Sequence, residues 1–195
     1  MTIQPVTLTG KIIRLEPLSE AHVPDLAQVG IDENIWRFML YGDMCTEEDL
    51  YGWVRDILSR QARGTDLPFT VICLESEKAI GCTRYLDIHP EHCNLEIGGT
   101  WYGAPYQGTG INTEAKYLLL CHAFETLNCI RVQLKTDLRN LRSQRAIERI
   151  GAKKEGILRD HMILPDGTIR STIYYSILVS EWSGVKARLE EMMRG

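Results

Sequence analysis

The chain has 195 residues, 44% hydrophobic and 25% charged, which is the size and composition of one folded domain with a full core. Its net charge of −4 argues against a general nucleic-acid binder, and no apolar run approaches the ~20 residues of a membrane span. The opening MTIQPVTLTGK lacks the basic start and apolar centre of a secretory signal. Six cysteines stand at 45, 73, 82, 93, 121 and 129 with no C-x-x-C pair. That spacing argues against a zinc site, and a reducing cytoplasm is the economical compartment. Most of these cysteines lie in apolar patterns, where a free thiol acts as a small hydrophobe.

Residues 11–15 (KIIRL) read as a short strand. Ser19 is a helix N-cap with His22 at N3, and Leu26, Ala27 and Val29 carry that helix's apolar face. Ile35 to Met39 is a second short helix. Thr46, followed by Glu47, Glu48 and Asp49, caps a third. Leu50, Trp53, Val54, Ile57 and Leu58 recur there at helical spacing, and Gly64 ends it. The period then changes to two. Phe69–Leu74, Ala79–Ile88 and Cys93–Tyr102 read as an antiparallel meander, with a bulge or a splayed strand end expected at Gly98-Gly99. A helix from Gly110 to Thr126, apolar almost all round, is followed by a strand over Ile130–Lys135. This strand–helix–strand passage is a parallel crossover. Next come a helix over Asn140–Ile150 with Gly151 as its C′ residue, and strands over Lys153–Ile163 and Thr168–Val179. Leu164-Pro165-Asp166-Gly167 turns between those strands, and Glu181–Met193 is a closing helix. Repeats, linkers and low-complexity segments are not evident.

The most informative stretch is Leu95–Phe124, a strand, a glycine-rich loop and a core helix. A buried helix that starts at such a loop turns free N–H groups and a positive dipole end toward it, which suits a diphosphate. A P-loop needs Gly-Lys-Ser/Thr, but Gly110 is followed by Ile111-Asn112. The dinucleotide fingerprint needs a third glycine where Thr113 stands. The third pattern, Gln/Arg-x-x-Gly-x-Gly/Ala, is met by Gln107-Gly108-Thr109-Gly110-Ile111-Asn112, with Asn112 departing at the last position.

That loop, the N-x-x-S run Asn140-Leu141-Arg142-Ser143 and the segment Glu148-Arg149-Ile150-Gly151-Ala152 together resemble the GNAT N-acetyltransferases. The likeness is to the branch that includes the RimJ/RimL-type enzymes, and it covers roughly residues 8–180. It implies a single domain over 1–195 with an α/β (α+β) fold. The sheet would be mixed, mostly antiparallel and six- to seven-stranded, with helices on both faces and a splay between the fourth and fifth strands. It also implies acetyl-CoA as donor, no metal, and direct transfer to an amine in a ternary complex. The backbone at Thr100, Trp101 and Tyr102 would hold the pantetheine arm, with the N–H near Thr100 meeting the thioester carbonyl. Residues 107–113, including Thr113, would take the diphosphate, and Asn140 and Ser143 would lie by the sulfur. Pro105 falls two residues before Gln107, where the family more often has it three before. Homodimers are common in such families. An acyl-CoA-binding module without catalysis is the alternative reading on the same fold.

The resemblance also frames the chemistry. Many members use a tyrosine seven residues after the asparagine, but that position is Ile147, so Ser143 is the expected donor to the departing sulfur. Glu96 is the candidate base. A solvent-facing strand carboxylate or a partner for Arg84 is the plainer account of Glu96, and Asp160 and His161 are weaker candidates for the base. Between Arg131 and Lys154 eight bases face only Asp137 and Glu148, which fits a polyphosphate ligand or a solvated basic face. Trp36, Phe38, Tyr41 and Trp53, with Asp43, Glu47, Glu48 and Asp49, either form an acidic site for a cationic amine or serve as core and helix cap. The acceptor could be a protein N-terminus or a small-molecule amine.

Overall fold

Stretches of period two pair into a sheet, and stretches of period 3.6 cover both its faces. The computed structural model describes residues 1–194. The strands among them are β1 (Leu8–Thr9), β2 (Ile13–Pro17), β3 (Leu67–Cys73), β4 (Lys78–His89), β5 (Asn94–Tyr102), β6 (Arg131–Asp137), β7 (Lys153–Ile163) and β8 (Ile169–Leu178). The helices are α1 (Val23–Gly30), α2 (Glu33–Trp36), α3 (Glu47–Ala62), α4 (Ile111–Cys121), α5 (Leu141–Arg149) and α6 (Trp182–Met192). The strands form one eight-stranded sheet in the order β1-β2-β3-β4-β5-β6-β8-β7. All neighbours are antiparallel except β5 and β6.

The expected fold class holds, with eight strands in place of six or seven. The addition is β1, two residues long and so without any periodicity to read. The next strand starts at Ile13, later than Lys11. The main-chain N–H groups of Lys11, Ile12 and Ile13 donate to the Glu114 carboxylate at 2.7, 2.9 and 2.9 Å, which holds this segment as a turn. α2 also starts earlier than expected, because Asp32 caps it by accepting the Asn34 N–H.

The splay lies between β5 and β6, the fourth and fifth strands when counted from Ile13. Parallel pairing joins Asn94–Glu96 to Arg131–Gln133 and goes no further. Beyond it β5 stays with β4 as far as Tyr102, and β6 stays with β8 as far as Asp137. The cause sits in β5. Arg84 opposes Gly98 and Cys82 opposes Trp101, so Gly99 and Thr100 together face Thr83 alone. Gly99 has φ +56, and a Cβ there would lie 2.9 Å from Arg84 Nε. This bulge adds local twist and turns β5 away from β6.

α4, α5 and α6 pack on one face of the sheet, around Leu95, Ile97, Val132, Tyr175 and Leu119. α1, α2 and α3 pack on the other, around Trp36, Trp53 and Trp101, whose ring centroids are 5.3–6.0 Å apart. Trp36 and Trp53 are therefore core residues. Asp49 is a cap: its carboxylate accepts the Thr46 N–H at 2.8 Å. Among the described residues no helix is long and apolar enough to cross a membrane.

Candidate active site

The loop after β5 is built from its own side chains. Thr109 Oγ1 donates to the Tyr106 carbonyl at 2.7 Å and accepts the Ile111 N–H at 3.3 Å. Gly108 has φ +77 with open space where a Cβ would stand. Gly110 is the N-cap of α4 and lends no capping side chain, so the N–H groups of Asn112 and Thr113 have no acceptor among the described residues. The departure at Asn112 has a local reason: its Oδ1 accepts from the Tyr102 hydroxyl at 3.3 Å, tying the end of β5 to α4.

Two groups of this loop already have partners within the chain. Gln107 presents no free side chain, since its amide donates to the Tyr102 carbonyl at 2.7 Å and its Oε1 accepts from Arg142 at 2.6 Å. It is a bridge from β5 to α5 across the mouth of the splay, and it removes the Tyr102 carbonyl from the free strand edge. Ile111 buries its side chain in the core, and its N–H is taken by Thr109. Trp101 likewise sends its side chain into the opposite core, leaving only its main chain beside the splay.

Across the wedge, Asn140 caps α5 by accepting the Ser143 N–H at 3.0 Å. Helix-end satisfaction therefore comes from Asn140, and the Ser143 hydroxyl is left without a partner among the described residues. Ile147, at the position where the resemblance implies a tyrosine, is buried in the core. Glu148 accepts from the Tyr175 hydroxyl at 3.0 Å, and Gly151, at φ +98, closes the helix. These contacts explain the Glu-Arg-Ile-Gly segment as a clamp of α5 onto β8.

Glu96 stands at the last parallel pair, opposite Gln133, where β5 and β6 part. It is 2% exposed, so it is not a solvent-facing carboxylate. Lys135 Nζ lies 2.8 Å from its Oε2, and Gln133 donates to the same oxygen at 3.0 Å. Burial pushes the Glu96 carboxyl above the ordinary carboxylate range, and Lys135 opposes that rise without cancelling it. Arg84 is not its partner. The Arg84 guanidinium lies over the Tyr41 ring, donates to the Tyr41 hydroxyl and pairs with Asp66. Nε and Asp66 Oδ2 are 3.1 Å apart, close enough for charge pairing but angled so that no hydrogen bond forms. Gly98 makes room for the acid, because a Cβ there would meet Glu96 Oε1 at 2.8 Å. His161 bonds Thr172 Oγ1 at 3.1 Å and sits beside Tyr174 on the outer strands, and Asp160, with φ +46, belongs to the β7 irregularity.

Three of the eight bases in the run from 131 to 154 are paired with acids outside it. Arg131 pairs with Glu155, Lys135 with Glu96 and Lys153 with Glu181, while Arg139 pairs with Asp137 from within the run. Arg142 and Arg145, on the exposed side of α5, remain available beside the loop.

Sequence reasoning missed two buried charges on α4. Glu114 anchors the β1–β2 turn, as described above. Lys116 is 6% exposed, faces no acid, and donates to Thr100 Oγ1 at 2.8 Å. The signal was available: a charged residue inside an otherwise apolar helix has to find a partner within the fold.

A sheet whose single parallel pair diverges beside the unpaired N-terminus of a core helix is the architecture of an acyl-transfer enzyme. The comparisons make the assignment specific. Residues 13–153 match the model of the acetyltransferase (GNAT) domain. A protein from T. thermophilus assigned as an acetyltransferase is 41% identical, covering 98% of this chain and 99% of that one, with a TM-score of 0.89. A GCN5-related N-acetyltransferase from Brucella melitensis is 28% identical over 97% of this chain and 86% of that one, with a TM-score of 0.90. A Bacillus subtilis (strain 168) protein named as a ribosomal N-acetyltransferase, YdaF, is 38% identical over 45% of this chain and 48% of its own length. The chain thus spans about half of that relative. The chain belongs to the GNAT acetyltransferase family.

Proposed function

We propose that this acetyltransferase moves an acetyl group from acetyl-CoA to a primary amine by direct transfer within a ternary complex. The observation that carries the reading is the splay itself: a free strand edge at 97–102 runs into helix α4, whose Asn112 and Thr113 N–H groups have no acceptor among the described residues. The donor would lie along that edge. Its diphosphate would rest on the loop at Gly108–Thr113, with Arg142 and Arg145 nearby, and its sulfur would lie near Asn140 and Ser143. Glu96 would take the ammonium proton of the acceptor, and its raised affinity for protons suits that task. The main-chain N–H at Thr100 would stabilise the oxyanion. Ser143 would donate to the departing sulfur through a hydroxyl that nothing else uses.

A cationic acceptor is supported by a cavity of about 560 Å³ between α2 and the β7–β8 turn. Its rim carries Glu33, Asp43 and Asp166 against Arg37 alone. The relative named as a ribosomal N-acetyltransferase favours a protein N-terminus over a small amine. A single domain, a cytoplasmic setting and homodimerisation belong to the same proposal, and light scattering reads the last of these. The test is thiol release from acetyl-CoA across a panel of peptides and small amines, with mass detection of the product. Binding of coenzyme A without turnover on any amine would replace the reading with that of a non-catalytic acyl-CoA module, which the buried Ile147 favours. Retention of full activity by Ser143→Ala would remove the role given to that serine.

A further inference from the structure

We propose that Lys116 is a positioning residue for acetyl transfer, holding Thr100 from beneath the strand and placing a positive charge behind the backbone that meets the developing oxyanion. The inference rests on the transfer reading above and adds to it a group from the opposite face of the sheet. Lys116 Nζ donates to Thr100 Oγ1 at 2.8 Å, and Thr100 Oγ1 is 2.8 Å from Thr83 Oγ1. Thr83 is the residue that the Gly99-Thr100 bulge opposes. The chain from Lys116 through Thr100 to Thr83 thus fixes the bulge from below at the point where β5 leaves β6.

Lys116 has no counter-charge. The acid nearest in sequence, Glu114, is consumed by three N–H groups of the β1–β2 turn. From β4 and β5 the titratable groups facing α4 are the phenols of Tyr85 and Tyr102, held by the Leu119 carbonyl and by Asn112 and kept neutral by burial. From β2 the neighbours are Ile13 and Leu15, and from α6 the carboxylate of Glu190 is bonded to Tyr117. Burial alone pushes the Lys116 amine down to about 7. A buried ammonium without a partner is costly, so a role that needs its charge accounts for its presence better than packing does. A polyanionic donor settling into the splay would favour the protonated form, and an oxyanion at Thr100 would favour it further.

The experiment uses the full chain with Lys116→Met and Thr100→Val. Lys116→Met is expected to lower kcat about tenfold with KM for acetyl-CoA within about twofold, and to abolish the alkaline limb of the kcat–pH profile. Thr100→Val, which keeps its shape but loses the acceptor oxygen, is expected to lower kcat in the same direction. A Lys116→Met enzyme with unchanged kcat and an unchanged pH profile overturns the proposal. A second reading needs no turnover: NMR of the lysine side chains, with Lys116 assigned by its absence in Lys116→Met. Saturating coenzyme A is expected to raise the Lys116 titration midpoint by about one unit or more. No upward movement overturns the proposal even if the transfer reading stands. Failure of the wild type to acetylate any amine counts against the transfer reading and is scored before any variant is made.

Discussion

Two buried charges meet β5, Glu96 on the strand itself and Lys116 reaching Thr100 from α4, and they are treated in opposite ways. On the face shared with α3, Glu96 has Lys135 at 2.8 Å and Gln133 at 3.0 Å. On the face shared with α4, Lys116 has only the neutral hydroxyl of Thr100. A paired buried charge recovers much of its lost hydration from its partner, whereas an unpaired one recovers little and shifts toward neutrality. Both groups are drawn toward their uncharged forms, the acid gaining proton affinity and the amine losing it. The strand between them carries the one edge in the sheet left open by the splay. The site therefore combines a carboxylate ready to accept a proton with a cation held in reserve, separated by one layer of backbone.

Perturbing each side tests that contrast. The largest effect is expected from Glu96→Gln, which should lower kcat by about 10²–10³ and remove the acid limb of the pH–rate profile. Steady-state rates between pH 5 and 9 would show it. Lys135→Met comes next. It leaves the carboxylate buried and unpaired, at a cost of about 3–5 kcal/mol above the pH at which Glu96 ionises. The sign follows from the raised Glu96 value: the folded chain holds that proton longer than the unfolded chain. The contribution is complete below the ordinary carboxylate range and is lost as pH rises through the folded value. Urea denaturation of Lys135→Met should therefore show a deficit at pH 8 that shrinks at pH 5.

Lys116→Met should act the other way and raise stability, by an amount on the order of 3 kcal/mol near neutral pH. The native amine is held at about 7 against an ordinary value of 10.5, so the unfolded chain binds more protons between those values. Wild-type stability then rises with pH across that window and falls as pH drops through about 7, and the variant should lose this slope. Thermal melts at pH 6.5 and 9 would reveal it. The smallest effect is expected from Asn140→Ala, which removes the α5 cap for about 1 kcal/mol. If Asn140 only caps, kcat should follow the melting temperature; a larger fall in kcat would mark a direct part in the site.

The helix starts at Thr46 and Asn140 were legible because capping is local, set by one side chain and the next three amides, whereas after Ser19 a 3-10 turn over Glu20–His22 precedes α1 at Val23. The splay, as a parting of the fourth and fifth strands, was legible only through the resemblance, though Gly98-Gly99 by itself allowed a bulge or a splayed strand end. What the pattern alone offered was Gly98-Gly99, and the structure shows why two glycines stand there: one clears Glu96 and the other clears Arg84. The basic run from 131 to 154 was legible as a count of charges but not as a set of partners. Counting charges along the chain cannot see Glu96, Glu155 and Glu181, which lie on neighbouring strands or loops and quench Lys135, Arg131 and Lys153. The contacts of Gln107 with the Tyr102 carbonyl and Arg142 were not legible, because they form only when the loop folds back beside α5.

From the chain of letters alone come the order of strands and helices, the glycine-rich entry to α4 and the caps at Thr46 and Asn140, since each depends on interactions within one or two turns. Tertiary structure decided which charges are answered. Only the meeting of β5 with β6 gives Glu96 its lysine, and only the seating of α4 beneath the bulge leaves Lys116 with a threonine. Coulomb and hydration energies depend on distance and burial in space, and separation along the chain sets neither.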